Sequence, residues 1–491
     1  MMGETMPHWL TKQAQLSPDM PALEDEAGSS WTFSELEQAS QTFAQKLASF
    51  GVRPGMHVGI LANNEPSVII AVHALSYLGA AAVLYNTKLA AAELNYQMDD
   101  AETAFVLLST ELKDLTCEHS WRAGRMPLSF REVDEAEAAP VQLREEIDLD
   151  DVFTIMYTSG TTGHPKGVIH TYGNHFWSAA GSALNLGLHK NDKWLALLPM
   201  FHIGGLSVFF KSAIYGMPVL LMRRFDPQKV QAAIVNRGVT IASVVTVMLK
   251  RLLEELDNGL YPEHFRCMLL GGGAVPLSML EAAKERKIPV YQSYGMTETS
   301  SQIVTLSPND ALSKLGSAGK PLFPAQLQIR NPGHDGVGEI AVKGPMVTRG
   351  YYKNQQANES SFDQGWLKTG DLGRLDEEGF LYVADRRKDL IISGGENIYP
   401  AEVEGVLARM EGIEETGVCA VPNAVWGQVP AAFVVLADKQ LNATEIENFA
   451  AGQLAKYKVP KHIYIIEKLP RNASGKLMRH ILSRWAEERN E

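Results

Sequence analysis

The amino-acid sequence predicts an α/β protein: a large N-terminal domain with doubly wound sheets and a β-rich subdomain, then a small α+β C-terminal domain. From residue 152 to residue 294, short apolar runs alternate with helical patterns. This alternation is typical of parallel, doubly wound sheets. Past about Leu315 the apolar runs become shorter and are separated by glycine, proline and asparagine, which indicates a β-rich region. A length of 491 residues suits about three domains.

The N-terminal part begins with a well-marked helix. Thr32-Phe-Ser-Glu35 has the form of a capping box, and apolar residues then recur at helical spacing until Gly51 ends the pattern. Further elements are predicted as strands at His57–Leu61, Ala80–Leu84 and Ala104–Leu108 and as a helix after Pro66. The segment from Glu132 to Asp151 is acidic and less periodic, so we expect a solvated connector there.

The middle of the chain carries the strands that precede the most informative motifs. They are predicted at Val152–Tyr157, Trp194–Leu198, Val219–Met222, Thr240–Val245, Arg266–Leu270 and Val290–Tyr294, with helical runs such as Asp226–Asn236 between them. Ligands of parallel α/β sheets bind at the carboxyl ends of the strands. Three motifs, which begin at Thr158, Gly271 and Tyr294, are expected at such ends.

The C-terminal part contains two different patterns. Short β-like segments at Gly338–Val342 and Phe380–Val383 belong to the β-rich subdomain. From Lys388 onward the pattern predicts an extended segment at Leu390–Ser393, a helix from Pro400, strands at Thr416–Val421 and Ala431–Leu436, and a helix at Ala443–Lys456. We therefore divide the chain into a large domain, residues 1–387, and a small domain of about 100 residues, 388–491.

Composition and charge exclude several classes of protein. The formal charge of -12 has the wrong sign for a general nucleic-acid binder. The three cysteines, Cys117, Cys267 and Cys419, lack the spacing of a disulfide framework or a zinc site. We therefore expect a cytoplasmic protein without a nucleic-acid partner, and a homo-oligomer stays open.

No integral membrane segment is expected. The most apolar stretch, Ser67 to Tyr85, falls at the short end of a membrane span of about 20 residues and contains His73. We interpret it as a buried helix followed by a strand. The first residues of the chain lack the apolar core of a signal peptide.

The most informative stretch is Thr158-Ser-Gly-Thr-Thr-Gly-His-Pro-Lys-Gly167, which follows a predicted strand. Its backbone N–H groups, its hydroxyls and its lysine can together hold a polyphosphate. It is not a Walker A loop, because Lys166 is followed by glycine rather than by serine or threonine. A surface loop rich in serine, threonine and glycine is the alternative that composition alone allows.

This loop resembles the phosphate loop of the adenylate-forming superfamily, which includes the acyl-CoA synthetases, the luciferases and the adenylation domains of peptide synthetases. Further segments continue the resemblance in the superfamily's order over essentially the whole chain, at Tyr294–Thr299, Gly365–Asp371, Tyr382–Asp389 and Leu469–Lys476. The resemblance implies the adenylate-forming fold. Its large domain would bind ATP and the acyl substrate, and its small domain would be mobile about a hinge at Lys388.

The resemblance also implies an ATP site. Its residues would be Thr158, Ser159, Gly160, Thr161, Thr162, Lys166, Gly271, Gly272, Gly273, Ala274, Tyr294, Gly295, Thr297, Asp371 and Arg386. The glycines from Gly271 onward would line the adenine pocket. Taken alone they are a weak signal, since the third glycine of a dinucleotide fingerprint is replaced by Pro276. A tight strand-to-helix turn is the alternative, and it is compatible with the same role.

Two of these motifs carry specific roles in the superfamily. Thr297 and Glu298 would contact the α-phosphate and Mg²⁺, and a hard dication suits the carboxylate of Glu298. Asp371 would accept the ribose hydroxyls with help from Arg386. The alternatives are a solvated helix start around Glu298 and a solvated turn at Asp385–Asp389.

Two segments near the C-terminus extend the resemblance to the second substrate. Lys476 would neutralise the substrate carboxylate and the α-phosphate as they combine. Considered alone, a lysine so near the C-terminus is usually solvated. Gly394 and Gly395 correspond to the segment that lines the pantetheine tunnel of acyl-CoA synthetases, so CoA is the expected thiol acceptor.

The acyl substrate would bind near Leu198-Pro-Met-Phe-His202-Ile-Gly-Gly-Leu-Ser207. His202 would orient the acyl group or gate the site and is counted with Thr297, Glu298 and Lys476 as catalytic; a packed neutral core histidine is the alternative. Ser207 and Lys211 are four residues apart and would share one face of a helix. The other histidines carry no functional signal in the sequence.

Segments between the motifs, such as Gln292–Pro308 and Leu315–Pro321, resemble the bacterial o-succinylbenzoate–CoA ligases of menaquinone biosynthesis. This resemblance implies ATP, Mg²⁺ and CoA as cofactors or co-substrates. A second carboxylate on the acid would need a cationic or multiply donating contact, for which Ser207 and Lys211 are the candidates. The alternatives are a ligase for another aryl or medium-chain acid, an adenylation enzyme that loads a carrier protein, and a non-catalytic nucleotide-binding regulator.

Overall fold

The structure is a computed structural model, and it describes residues 3–112, 125–158, 165–257, 259–271, 275, 277–334, 336–385, 390–437, 441–470 and 477–490. The chain divides into two compact units. The first contains Met1–Thr87, Met98–Met156 and Gly167–Ala384, and the second contains Lys88–Gln97, Tyr157–Lys166 and Asp385–Glu491. The predicted boundary between residues 387 and 388 stays a prediction.

A six-stranded sheet lies in the first half of the chain. In sheet order its strands are Lys166–Thr171, Val152–Thr158, Ala81–Leu84, His57–Leu61, Phe105–Leu108 and Met126–Ser129. The pairing among the last five is parallel throughout. The strands Ala81–Leu84 and Phe105–Leu108 are buried along their whole length, which explains why they are continuous apolar runs in the sequence. The helices of this region are Phe33–Ser49, Pro66–Leu78, Ala91–Asp100 and Phe130–Glu135, with a 3₁₀ turn at Thr110–Leu112.

A nine-stranded sheet forms the larger layer of the first unit. Its order is Lys320–Pro321, Ser301–Leu306, Val290–Met296, Cys267–Gly271, Ile241–Val245, Trp194–Ala196, Val219–Leu221, Pro21–Asp25 and Ser30–Thr32. The six strands from Val290–Met296 to Pro21–Asp25 are parallel, and antiparallel strands complete both edges. Helices of this region are Trp9–Leu16, Tyr172–Leu186, Ile203–Tyr215, Pro227–Asn236, Thr246–Leu256 and Leu277–Glu285.

Two smaller sheets complete the first unit. The β-rich subdomain has five strands, Gln326–Arg330, Gly338–Lys343, Trp366–Leu375, Phe362–Asp363 and Leu381–Asp385, with the helix Gln355–Ser361 beside them. Thr5–Pro7 pairs antiparallel with Glu146–Asp148 in a two-stranded sheet. The predicted connector therefore contains regular structure, because Ser129 and Glu132 form a capping box that begins the helix Phe130–Glu135.

The predicted helix starts and the predicted helix-and-strand unit are confirmed. Thr32 Oγ1 accepts a hydrogen bond of 3.2 Å from Glu35 N, and Glu35 Oε2 accepts one of 2.8 Å from Thr32 N. The apolar stretch from Ser67 to Tyr85 forms the helix Pro66–Leu78 and the strand Ala81–Leu84. Within the described ranges, we find no helix with the length and apolar character needed to cross a membrane.

The second unit contains a separate sheet and core. The sheet consists of Glu396–Ile398, Ile391–Ser393, Gly427–Leu436, Ile413–Asn423 and His462–Ile465, and the helices are Pro400–Leu407, Ala443–Ala451 and Arg479–Asn490. The second helix ends five residues before the predicted Lys456. One buried ion group lies in this unit: Lys458 Nζ donates hydrogen bonds of 2.6 Å to Glu93 Oε1 and 2.8 Å to Glu402 Oε1. Ala455 N donates a further bond of 2.7 Å to Glu93 Oε2.

Candidate active site

The predicted Mg²⁺ motif forms a single 3₁₀ turn, Thr297–Thr299, directly after the strand Val290–Met296. Glu298 in this turn is only 5% exposed. Tyr351 Oη donates a hydrogen bond of 2.9 Å to Glu298 Oε1, and Thr348 N donates one of 2.8 Å to Glu298 O. The turn therefore presents a carboxylate in a fixed position, and carboxylate oxygen is a ligand that Mg²⁺ prefers.

The donor set fits a metal ion that arrives with a nucleotide. Among the residues that the structure describes, no group of three or more His, Cys, Asp and Glu side chains could hold a metal ion. Mg²⁺ is usually held by one or two carboxylates together with water and substrate phosphates. Glu298 alone suits such a Mg²⁺–nucleotide complex and does not suit a metal site made by protein alone.

The backbone after this turn adopts an unusual conformation that its neighbours hold in place. Ser300 has φ 54 and Ser301 has φ 132, positions that cost about 1–3 kcal/mol each for residues other than glycine. Ser178 Oγ donates a hydrogen bond of 2.8 Å to Ser300 O, and Ser300 Oγ donates one of 2.9 Å to Met346 O. Gly295 is required here, since a Cβ at that position would lie 2.2 Å from Ser301 O. Strain of this kind is typical of functional sites.

Two residues predicted for the ATP site touch each other. Tyr294 Oη donates a hydrogen bond of 2.8 Å to Asp371 Oδ2, and the ring of Tyr294 is buried. Asp371 lies on the strand Trp366–Leu375, where its N–H donates to Thr369 Oγ1 at 3.1 Å. The phenol therefore orients the carboxylate that is expected to accept the ribose hydroxyls.

The remaining predicted ATP residues are placed only in part. Thr158 ends the strand Val152–Thr158, Lys166 begins the strand Lys166–Thr171, and Gly271 ends the strand Cys267–Gly271. Several predicted residues lie outside the described ranges: Ser159, Gly160, Thr161, Thr162, Gly272, Gly273, Ala274, Arg386, Lys388 and Lys476. The expectation that the motif starting at Tyr294 follows the end of a strand is corrected. The strand that starts at Val290 continues through Tyr294 and Gly295 to Met296, and it pairs with Ser301–Leu306.

His202 occupies the N-cap of the helix Ile203–Tyr215. Its side chain is exposed and its ring packs edge-on against Phe201, with ring centroids 4.7 Å apart. The alternative interpretation of His202 as a packed core histidine is therefore wrong. His202 is therefore an exposed side chain at the start of the helix that also carries Ser207 and Lys211.

Ser207 and Lys211 lie one turn apart in the helix Ile203–Tyr215, as their spacing predicts. Both side chains are buried. Ser207 Oγ has no hydrogen-bond partner among the described residues. Lys211 Nζ lies 5.2 Å from the centroid of the Trp194 ring, while Trp194 Nε1 donates a hydrogen bond of 3.0 Å to Ser243 Oγ.

The ammonium group of Lys211 is in an unfavourable environment for a cation. Burial lowers the pKa of Lys211 to about 8, and no carboxylate of the described residues lies within 4 Å of Nζ. A buried amine without a counter-ion is costly, although an aromatic face offsets part of the cost. A ligand carboxylate at this position would restore the charge balance.

The predicted CoA segment forms a tight turn between the strands Ile391–Ser393 and Glu396–Ile398. Gly394 has φ 58 and Gly395 has φ 90. A Cβ on Gly394 would lie 2.7 Å from the Trp426 ring, and Gly394 N donates a hydrogen bond of 2.8 Å to Trp426 O. The positive φ values of both residues and the close Trp426 ring at Gly394 favour glycine in this turn.

Among the described residues, the side chains of four with no predicted function contact the Thr297–Glu298 turn directly or through one another. Tyr351 holds the carboxylate of Glu298, as described above. His170 Nε2 lies 2.7 Å from Thr297 O, and Thr154 Oγ1 lies 3.1 Å from His170 Nδ1 and 2.9 Å from His175 Nε2. The sequence contains no local signal for these contacts, since the partners of His170 and Tyr351 are 127 and 53 residues away along the chain.

Comparison with known proteins identifies the family. Residues 10–352 match the AMP-binding enzymes, and residues 402–476 match the C-terminal domain of AMP-binding enzymes. A 2-succinylbenzoate–CoA ligase from Oceanobacillus iheyensis is 55% identical over 492 residues, which cover 98% of this chain and 100% of that protein.

Two solved structures of the o-succinylbenzoate CoA synthetase from Bacillus subtilis are also similar. A double mutant bound with its product analogue OSB-NCoA is 48% identical, has a TM-score of 0.92 and covers 98% of each chain. A complex with ATP and a magnesium ion is 48% identical, has a TM-score of 0.75 and covers 97% of this chain and 99% of that one. The chain therefore belongs to the AMP-binding, adenylate-forming enzymes, in the same family as the 2-succinylbenzoate–CoA ligases.

Proposed function

We propose that this protein activates o-succinylbenzoate with ATP and transfers the acyl group to CoA in menaquinone biosynthesis. The products are o-succinylbenzoyl-CoA, AMP and pyrophosphate. The observation that carries the choice of acid is the buried ammonium group of Lys211, which has no carboxylate of the described residues within 4 Å. The relative that is 55% identical over 98% of the chain supports the same acid.

The reaction has two half-reactions. In the first, an oxygen of the aliphatic carboxylate attacks the α-phosphorus of ATP, and the bond from that phosphorus to the leaving pyrophosphate breaks. In the second, the sulfur of CoA attacks the acyl carbon, the bond from that carbon to AMP breaks, and the thiol proton is released. The acyl-adenylate is needed because a carboxylate itself is a poor electrophile.

The residues of the Thr297–Glu298 turn act in the first half-reaction. Mg²⁺ bound with ATP supplies positive charge to the departing pyrophosphate. Glu298 holds that ion and Tyr351 holds Glu298, while Thr297 contacts the α-phosphate. Lys476 keeps the two reacting anions together, and charge placed in advance at such a site favours the transition state.

The nucleoside is held by residues that include Tyr294, at the start of the same Tyr294–Thr299 motif. Asp371 accepts the ribose hydroxyls, with Tyr294 orienting its carboxylate and Arg386 assisting. The segment from Gly271 to Ala274 lines the adenine pocket. The phosphate loop, from Thr158 to Lys166, binds the rest of the triphosphate.

The acyl pocket recognises the second carboxylate of the acid, the one on the aromatic ring. Lys211 supplies the opposite charge and Ser207 Oγ supplies a hydrogen bond, and both groups are buried on one helix. A buried anion without such partners is costly, so an acid that lacks the ring carboxylate loses these contacts. His202, at the exposed start of the same helix, orients the acyl group or gates the pocket.

The small domain serves the second half-reaction. It turns about Lys388, withdraws Lys476 and presents Gly394 and Gly395 to the pantetheine of CoA. The substrates are small molecules. We expect a cytoplasmic enzyme without a nucleic-acid partner, and a homo-oligomer stays open.

The test compares two acids that differ only in the ring carboxylate: o-succinylbenzoate and 3-benzoylpropionate. Purified protein is incubated with ATP, Mg²⁺ and CoA, and thioester and pyrophosphate are measured; benzoate and octanoate extend the panel. We expect thioester from o-succinylbenzoate with a kcat/KM at least roughly 10²-fold above that of the matched acid, because a buried charge would otherwise lack its partner.

Each other outcome assigns a different function. Preference for 3-benzoylpropionate or octanoate would keep the chemistry and overturn the acid. Pyrophosphate release that ignores free CoA would identify an enzyme that loads a carrier protein. ATP binding without acid-dependent pyrophosphate release would identify a regulator.

A further inference from the structure

A buried chain of side-chain hydrogen bonds ends at the turn that carries Thr297 and Glu298. It runs from His175 on the helix Tyr172–Leu186, through Thr154 on the strand Val152–Thr158, to His170 on the strand Lys166–Thr171. The last link joins His170 Nε2 to Thr297 O over 2.7 Å. The side chains of His175, Thr154 and His170 are at most 2% exposed, so water does not compete for these hydrogen bonds.

The direction of every hydrogen bond in this series follows from the acceptor at its end, the carbonyl oxygen of Thr297. A carbonyl oxygen only accepts, so His170 Nε2 carries a hydrogen and donates it to Thr297 O. In a neutral imidazole His170 Nδ1 is then an acceptor, and Thr154 Oγ1 donates to it. The oxygen of Thr154 in turn accepts from His175 Nε2. All three bonds therefore point toward the Thr297 carbonyl.

The reverse arrangement would need a buried imidazolium. A doubly protonated His170 would donate to Thr154 from Nδ1, and Thr154 would then donate to His175. Burial lowers the pKa of His170 to about 4, and burial together with His170 and Lys211 holds the pKa of His175 well below its usual range. The aromatic rings of Phe210 and Phe153 pack against His175 at 4.5 and 5.7 Å, so its surroundings favour the neutral ring.

The receiving peptide is the one that joins Thr297 to Glu298. Thr297 O also accepts a bond of 3.0 Å from Ser300 N, which closes the 3₁₀ turn, and Glu298 O accepts from Thr348 N at 2.8 Å. A single 3₁₀ turn has weak internal hydrogen bonds and adopts a fixed geometry only with outside support. Donors from outside the turn thus fix two successive peptides, and with them the points at which both functional side chains leave the backbone.

We propose that His170 is a positioning residue for adenylation, held by Thr154 and His175 in its Nε2–H form so that it fixes the peptide between Thr297 and Glu298. The proposal rests on the proposed role of this turn in binding ATP and Mg²⁺. It adds three residues to the reaction that touch neither substrate nor metal. Their effect is on geometry, and it is largest in the first half-reaction, in which Mg²⁺ and pyrophosphate take part.

Two substitutions of His170 separate its two hydrogen bonds. His170→Gln places an amide nitrogen near the position of Nε2 and keeps the donor to Thr297 O. His170→Asn places an amide oxygen near the position of Nδ1, keeps the acceptor for Thr154, and leaves the Thr297 carbonyl without this donor. We expect His170→Asn to slow acid-dependent pyrophosphate release by roughly 10-fold, the scale for a lost buried hydrogen bond, and His170→Gln to stay within about 3-fold of the wild type.

The second half-reaction is the internal control. Thioester formation from preformed acyl-adenylate and CoA needs no Mg²⁺ and releases no pyrophosphate, so His170→Asn should lose much less there than in pyrophosphate release. Equal loss from Gln and Asn, or equal loss in both half-reactions, would show that His170 only supports the fold. If His170→Asn does not fold, Thr154→Val against Thr154→Ser asks the same question, with Ser expected to restore the activity that Val loses.

Two further measurements keep this inference separate from the choice of acid. Equilibrium binding of Mg²⁺ with a non-hydrolysable ATP analogue needs no acid, and His170→Asn should weaken it by roughly 10-fold while His170→Gln does not. Nitrogen-15 shifts of labelled histidine should report the Nε2–H form for both His170 and His175. An Nδ1–H form at His170 would overturn the proposal even if o-succinylbenzoate is the substrate, and activity toward a different acid would leave it standing.

Discussion

Replacing Lys211 by methionine tests the assignment of the acyl pocket most directly. Methionine is similar in length and apolar, so it fills the buried space without the charge. In the wild type the ring carboxylate of o-succinylbenzoate would meet a side chain that is 2% exposed. Removing one partner of a buried ion pair costs about 3–5 kcal/mol, because the other charge stays buried alone.

The free-energy loss that we expect from Lys211→Met lies at the low end of that range. Ser207 Oγ is one turn away and still offers a hydrogen bond to the carboxylate. A loss of about 3 kcal/mol corresponds to roughly 10²-fold in kcat/KM. Lys211 also lies over the ring of Trp194, so the substitution removes a cation–π contact of about 0.5–2 kcal/mol together with the cost of the buried charge, and both changes are the same with either acid.

The assay therefore compares two acids rather than two proteins alone. Wild type and Lys211→Met are each tested with o-succinylbenzoate and with 3-benzoylpropionate, and kcat/KM is measured for all four pairs. We expect a loss of roughly 10²-fold with the first acid and little change or a gain with the second. An equal loss with both acids would refute the reasoning, since it would show that Lys211 supports the pocket rather than the carboxylate.

The pH dependence gives an independent readout of the same contact. The pKa of Lys211 is lowered to about 8 in the free protein, and a bound carboxylate favours the protonated form. Affinity for o-succinylbenzoate is therefore full below pH 8 and falls as the pH rises above it. KM for this acid should rise by about 10-fold per pH unit above that point, while KM for 3-benzoylpropionate should not follow. Parallel pH profiles for the two acids would contradict the assignment.

Three further predictions concern other parts of the molecule. Lys476→Ala should slow adenylation by roughly 10²- to 10³-fold through loss of charge at the reacting groups. Thioester formation from preformed acyl-adenylate should survive, and equal loss in both halves would argue against separate roles. Tyr351→Phe removes the hydrogen bond to Glu298, so the Mg²⁺ concentration for half-maximal pyrophosphate release should rise by roughly 5- to 10-fold. A defect that persists at saturating Mg²⁺ would count against that role. Lys458→Met should lower the free energy of unfolding by about 3–5 kcal/mol in urea, since two buried glutamates then face each other. Changing both glutamates to glutamine as well should restore much of this stability, and a single variant as stable as the wild type would exclude the ion group as a stabilising feature.

Features that depend on neighbouring residues were predictable from the sequence. The helix Phe33–Ser49 begins where the capping box predicts, because Thr32 and Glu35 satisfy each other's backbone groups locally. Ser207 and Lys211 share a helix because a spacing of four is one helical turn. The continuous apolar runs predicted buried parallel strands for a similarly local reason.

Features that depend on distant residues were not predictable. The strand Val290–Met296 continues through its motif because Ser301–Leu306 pairs with it in antiparallel fashion, and Ser300 and Ser301 adopt positive φ in the tight link between the two strands. Tyr351 forms an isolated β-bridge with Val168, and its side chain reaches Glu298 from that position. His202 could be placed in the correct segment, but its exposure depends on how that segment packs.

The buried ion group of the second unit has a consequence for synthesis of the chain. Glu93 leaves the ribosome 365 residues before Lys458, the cation that neutralises it. At roughly 5–20 residues per second, this interval is about 20–70 seconds. During that time the carboxylate of Glu93 must stay in water, so the second unit can complete its core only at the end of translation. A fragment that begins at Asp385 would contain Lys458 and Glu402 without Glu93, and it would have to fold with the charge of this group altered.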